Sequence, residues 1–115
     1  MPDAVTPPPF TLEIEDRGTT AFVRCHGKLL AGHADLLYLP VAHLLPTHRR
    51  IVLDLSGLTQ MDSMGLGALV RLYVSARNQG CTLELRNLGT KVRDLLIMTN
   101  LLPAFTEIGE HNIRV

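Results

Sequence analysis

Asp62-Ser63, followed at short range by Gly65 and Gly67, is the densest group of chemically capable residues in this 115-residue chain. A serine hydroxyl can accept a phosphoryl group, and a phosphate there adds about −1.5 to −2 charges at neutral pH, here beside a carboxylate. The same pair also suits a helix start, where Asp or Ser accepts hydrogen bonds from unpaired backbone N–H groups. In that second reading Asp62 and Ser63 are a cap and its polar neighbour. Gly65 and Gly67 have no Cβ and let another backbone approach closely. Met64 and Leu66 alternate with them, and Leu66 fits either a docking patch or the core. Asp54, at the end of an apolar run, either supports the amides of the loop beneath Ser63 or faces solvent.

Other chemistries lack their scaffolds. Gly65-Leu66-Gly67-Ala68-Leu69-Val70 approaches a dinucleotide fingerprint, with Glu84 near the acidic position, but Val70 replaces the third glycine and Ser56 to Met61 reads as a loop where a tight turn is needed. There is no GxxxxGK[ST] loop, no GxSxG elbow and no HExxH. His26, His33, His43, His48 and His111 make no ligand pair at i, i+4 and read as surface or packing residues. Cys25 and Cys81 have no CxxC spacing and read as small buried hydrophobes. Arg49-Arg50 reads as a solvated flank.

The elements that must position Asp62 and Ser63 follow from periodicity. Phe10, Leu12 and Ile14 alternate with polar residues, an edge-type strand; Asp16-Arg17-Gly18 turns the chain, and Thr20 to His26 returns as the second arm of a hairpin. Apolar residues at 36, 37, 41, 44 and 45 have helical spacing, with Pro40 either in the first turn or at a kink. Ile51 to Leu55 is a short apolar run, the pattern of a central strand covered on both faces. Apolar residues at 66, 69, 70, 73 and 76, with Arg71, Ser75, Arg77 and Asn78 on the other face, predict an amphipathic helix that Gly80 stops. Cys81 to Leu85 is a strand. Thr90 to Thr99 is a second amphipathic helix with Asn100 as cap and Pro103 beyond, and Phe105 to Ile108 is a candidate last strand.

This alternation predicts an α/β fold: an N-terminal β-hairpin joined to a mostly parallel four- to five-stranded sheet with amphipathic helices packed on it. Residues 1–9, with Pro7-Pro8-Pro9, read as a flexible arm and 10–115 as one domain. Eleven basic and eleven acidic residues cancel, so no electrostatic drive toward nucleic acid or anionic lipid is expected. The N-terminal residues lack the basic and apolar regions of a secretory signal, and no apolar stretch approaches the roughly 20 residues that span a bilayer. A cytoplasmic protein without membrane insertion is expected.

The segment from Asp54-Leu55-Ser56 to Asp62-Ser63-x-Gly65-Leu66-Gly67 resembles the STAS domain of the bacterial anti-sigma factor antagonists. The similarity runs from about Phe10 to Ile108, taking in Gly27-Lys28-Leu29, Leu95-Leu96-x-x-Thr99-Asn100-Leu101 and Phe105. The chain departs from the family where Met64 replaces a second hydroxyl residue and Leu30 an acidic one. The resemblance implies a non-enzymatic binding module. Its unphosphorylated form binds an anti-sigma factor that is also a serine kinase and so frees a sigma factor; phosphorylation at Ser63 ends the binding, and a phosphatase resets it. Asp62, Met64, Gly65, Leu66 and Gly67 would form the partner surface, and Asp54 would support the loop. No cofactor is implied, because ATP belongs to the partner. The alternative is a constitutive STAS scaffold or adaptor subunit of a larger stress-signalling or lipid-transport complex, with Ser63 only a cap.

Overall fold

The computed structural model describes residues 9–100 and the backbone of residues 112–114. The expected arm lies outside the described residues apart from Pro9, whose carbonyl accepts a hydrogen bond from the Lys28 amide at 2.7 Å. β1 (Phe10–Arg17) and β2 (Thr20–Leu29) form the hairpin, turning at Gly18. Then come α1 (Ala34–Leu44), β3 (Arg50–Met61), α2 (Ser63–Asn78), β4 (Thr82–Arg86), α3 (Thr90–Met98) and β5 (Asn112–Arg114). The sheet order is β1-β2-β3-β4-β5, with β3 central as expected. Only β2, β3 and β4 run parallel; β1 and β5 are antiparallel to their neighbours, which makes the sheet mixed. The strand expected at Phe105 to Ile108, like Pro103 and His111, lies outside the described residues.

β3 departs most from its sequence pattern. Ser56 to Met61, expected as a loop, continues the strand and pairs with the end of β2, Gly57 with His26 and Met61 with Leu29. Two register shifts, opposite Arg24/His26 and Gly27/Lys28, each leave one extra residue on β3. Such bulges bend a strand and destroy the period-2 alternation by which strands are recognised. Gly27 absorbs part of this distortion at φ 98°, and a Cβ there would strike the Pro9 carbonyl.

Ile51, Leu53 and Leu55 join Ala21, Val23, Cys25, Leu83 and Leu85 in one apolar core. The helices cover it with Leu37, Val41, Leu66, Leu69, Leu72, Ala76, Val92 and Leu96. Each such Leu contributes about 1.5–3 kcal/mol by leaving water. Pro40 is the seventh residue of α1, past the first turn, and cannot give the Leu36 carbonyl its usual hydrogen bond. The buried positions of that helix are Ala34, Leu37 and Val41, whereas Leu36 is exposed. α2 ends as its sequence predicts, with Gly80 left-handed at φ 72°.

On the opposite sheet face Glu84 is fully buried between two guanidinium groups, Arg50 Nη2 at 2.8 Å and Arg86 Nε at 2.7 Å. Arg50 is therefore a cross-strand clamp rather than a solvated flank. Burial alone would push the Glu84 carboxyl up, but the hydrogen bonds and charges of Arg50 and Arg86 outweigh it and hold it below the usual carboxylate range.

Candidate functional site

The site is built at the junction of β3 and α2. Asp62 has extended backbone, φ −111° and ψ −174°, and caps α2: its Oδ1 accepts hydrogen bonds from the Met64 and Gly65 amides, both at 3.0 Å. Its Oδ2 accepts a third, at 3.1 Å, from the Ala31 amide in the β2–α1 connection. One carboxylate thus ties the helix start to a neighbouring loop. Gly65 completes the junction, because a Cβ there would collide with the Leu29 carbonyl oxygen and crowd the Leu29 and Met61 side chains.

The expected site residues separate into two groups on this frame. Asp62 is the cap, and Ser63, the first helical residue, is exposed with no hydrogen-bond partner for its hydroxyl among the described residues. Met64 is 58% exposed. Gly65 and Leu66 are buried, so they position the surface instead of forming it. Gly67 is half-buried, with open space where its Cβ would be.

Ser63, Met64, Gly67 and Arg71 form one wall of an open groove of about 440 Å³; Ala31, Gly32, Ala34 and Asp35 form the other. The periodicity assigns Arg71 merely to the polar side of α2, but its guanidinium stacks 4.3 Å from the centroid of the Tyr38 ring and lies 3.5 Å from Asp35 Oδ1. The usable signal was the four-residue interval from Ser63 to Gly67 to Arg71, which places all three on one helix face.

Asp54 acts away from Ser63. Its Oδ1 accepts hydrogen bonds from the Ser56 amide at 2.9 Å and from Asn87 Nδ2 at 3.1 Å. Burial would raise its carboxyl, but the hydrogen bonds from Ser56 and Asn87 and the charge of Arg24 hold it below the usual range. Asp54 therefore braces the β4–α3 connection. Burial, reinforced by the Asp54 charge, pushes the Cys25 thiol up to about 12, and both cysteines are free and buried. Among the described residues no cluster of His, Cys, Asp or Glu is arranged to hold a metal ion, and no helix is long and apolar enough to cross a membrane.

The family model of the STAS domain matches residues 11–112. The chain belongs to the STAS domain family. This STAS domain superposes on an anti-sigma factor antagonist from Mycobacterium paratuberculosis with a TM-score of 0.75 and 21% identity, over 89% of this chain and 87% of the other. It also matches the Bacillus cell fate determinant SpoIIAA in its phosphorylated form, with a TM-score of 0.67 and 18% identity over 81% and 86%. A sulfate transporter family protein from Wolinella succinogenes matches with a TM-score of 0.66 and 20% identity over 75% and 70%. At these identities the structural matches establish the fold shared by antagonists and a transporter-family protein alike.

Proposed function

We infer that this STAS domain is an anti-sigma factor antagonist of the cytoplasm. Its unphosphorylated form binds an anti-sigma factor that is also a serine kinase and releases the sigma factor. The kinase transfers the γ-phosphoryl group of its ATP to Ser63 Oγ; the new O–P bond replaces the bond to the β-phosphate, ADP leaves, and the hydroxyl proton passes to a base of the kinase. A phosphatase reverses the modification, and the binding unit spans residues 10–115.

The observation that carries this reading is an exposed, unbonded hydroxyl at the rim of a groove, beside a carboxylate already committed to the helix cap. The phosphorylated form of SpoIIAA, a structural neighbour, supports it. A phosphate there places like charges side by side where a partner must desolvate them. The helix dipole returns only about 0.3–1 kcal/mol. Leaving a buried charge unpaired costs about 2–5 kcal/mol, so binding should weaken by roughly tenfold to a thousandfold.

The test is to incubate the protein with kinase-type anti-sigma factors of the same genome and ATP, following phosphate by intact mass. Ser63→Ala should abolish the added phosphate and retain binding, whereas Ser63→Asp should abolish binding. The fold match to a transporter-family protein favours one second reading, a constitutive scaffold. In that case both variants bind alike and no phosphate appears at Ser63.

A further inference from the structure

The deeper question at this groove is where a phosphate on Ser63 would find its counter-charge. The start of α2 offers little: the Met64 and Gly65 amides already donate to Asp62 Oδ1, and the Leu66 amide to the Asp62 carbonyl at 2.9 Å. Asp62 itself is an acid, and so is Asp35 across the groove. Among the described residues lining the groove, Arg71 is the one cation.

Arg71 is placed to answer. It follows Ser63 by two turns on the same face, with Gly67 between them. Side chains on a helix lean toward its N-terminus, the direction in which Gly67 and Ser63 lie from Arg71. Gly67 puts nothing in that path, since the space its Cβ would take is empty. Arg71 has two partners here, the face of the Tyr38 ring at 4.3 Å and Asp35, and the ion pair is the loose one. The contact with Asp35 is 3.5 Å long, and the two side chains are 52% and 73% exposed. Exposed pairs of this kind are readily exchanged for a stronger partner, and a phosphate dianion is stronger than a carboxylate.

We propose that phosphorylation of Ser63 draws Arg71 away from Asp35 and across Gly67, so that an internal phosphate–guanidinium pair fills the groove. The proposal rests on the reading of Ser63 as phosphoacceptor. It adds that the modified protein blocks its own docking surface, beyond repelling a partner by charge.

The charged groups around the phosphate are Asp62 from the cap, Asp35 from α1 and Arg71 from α2. The two acids raise the second pKa of the phosphate, ordinarily about 6, and Arg71 lowers it. The experiment uses the full chain with phosphoserine inserted at position 63 during translation, so no kinase is needed. Phosphorus NMR then follows the titration in the otherwise unaltered protein, in Arg71→Ala and in Gly67→Leu. Direct pairing lowers the second pKa by about 1 unit relative to Arg71→Ala. Gly67→Leu keeps every charge but obstructs the path, and its titration should resemble that of Arg71→Ala. Equal titration with and without Arg71 overturns the proposal, as does a shift that survives Gly67→Leu undiminished. Failure of every kinase to modify Ser63 would instead sink the phosphoswitch, and leave this electrostatic result standing.

Discussion

α2 starts on Asp62, whose side chain accepts two amides of its own helix and one from the loop beside it; α3 starts on Gly89, which has no side chain to accept any. α2 continues for sixteen residues and α3 for nine. The start of α3 is held from further back, where Asn87, left-handed at φ 58°, donates to Asp54 of β3. The contrast shows what a recognition surface requires beyond an exposed hydroxyl. Ser63 stands on a frame fixed by three hydrogen bonds and a glycine packed against backbone, so a partner docking there orders little that is loose. Thr90, at the equivalent first position of α3, has an exposed side chain as well but no comparable frame.

Four measurements sharpen or break this comparison. The largest effect is expected for Gly65→Val, which drives a branched side chain into the Leu29 carbonyl. Overpacking of this kind costs about 1–3 kcal/mol, and more where backbone must move. Thermal unfolding should show it, and a variant as stable as the parent would mean that α2 does not rest on β2 as described. Asp62→Ala should cost about 1–2 kcal/mol and speed amide exchange at Ala31 as well as Met64 and Gly65. Asp62→Asn retains the cap oxygen but turns a donor toward Ala31, so only the loop amide should lose protection. If Asp62→Ala costs no more than Gly89→Ala, the two helix starts are equivalent and the contrast fails.

Acid should act on the α3 side through Asp54. Its folded pKa is lowered, so its contribution is present above the unfolded value, about 3.9, and is lost as pH falls through the folded one. Amide exchange in the Asn87–Gly89 connection should therefore accelerate below about pH 4, and Asp54→Asn should make that step disappear. The smallest effect is a gain: Gly89→Asp supplies the missing cap and should stabilise the protein by a few tenths of a kcal/mol.

Much of this was legible in the residues because it is local. The hairpin, α2, its stop at Gly80 and β4 each leave a period or a turn signal within a few positions, and Asp62-Ser63 ahead of an apolar stripe marks a helix start. Leu66 was only half legible: its place in the apolar stripe suits the core, its place in the first turn suits a docking patch, and the structure buries it. What escaped depends on register. The second half of β3 is hidden because bulges erase its alternation. Arg50 and Glu84 stand 34 positions apart and meet across paired strands, and no neighbour in sequence announces that pair. Arg71 was visible as a polar residue, but its place in the groove depends on how α1 lies beside α2. Which of Asp62 and Ser63 caps the helix is likewise set by geometry, which gives the cap to Asp62 and leaves the Ser63 hydroxyl without a partner among the described residues.

The continuation of β3 past Asp54 also has a mechanical side. Its pairing with β4 stops at Asp54, opposite Arg86, whereas its pairing with β2 runs on to Met61, opposite Leu29. Beyond Asp54 no strand among the described residues flanks β3 on the β4 side, while β1 stays paired with β2 as far as Gly27, and α2 follows directly from the end of β3. Leu55, Leu58 and Met61 of this extension still pack on the core together with Leu29 and Leu66, so the end that carries Ser63 is seated on the interior. Force applied at Ser63 is thus carried into packed side chains, and the second half of β3 serves the docking end as a strut.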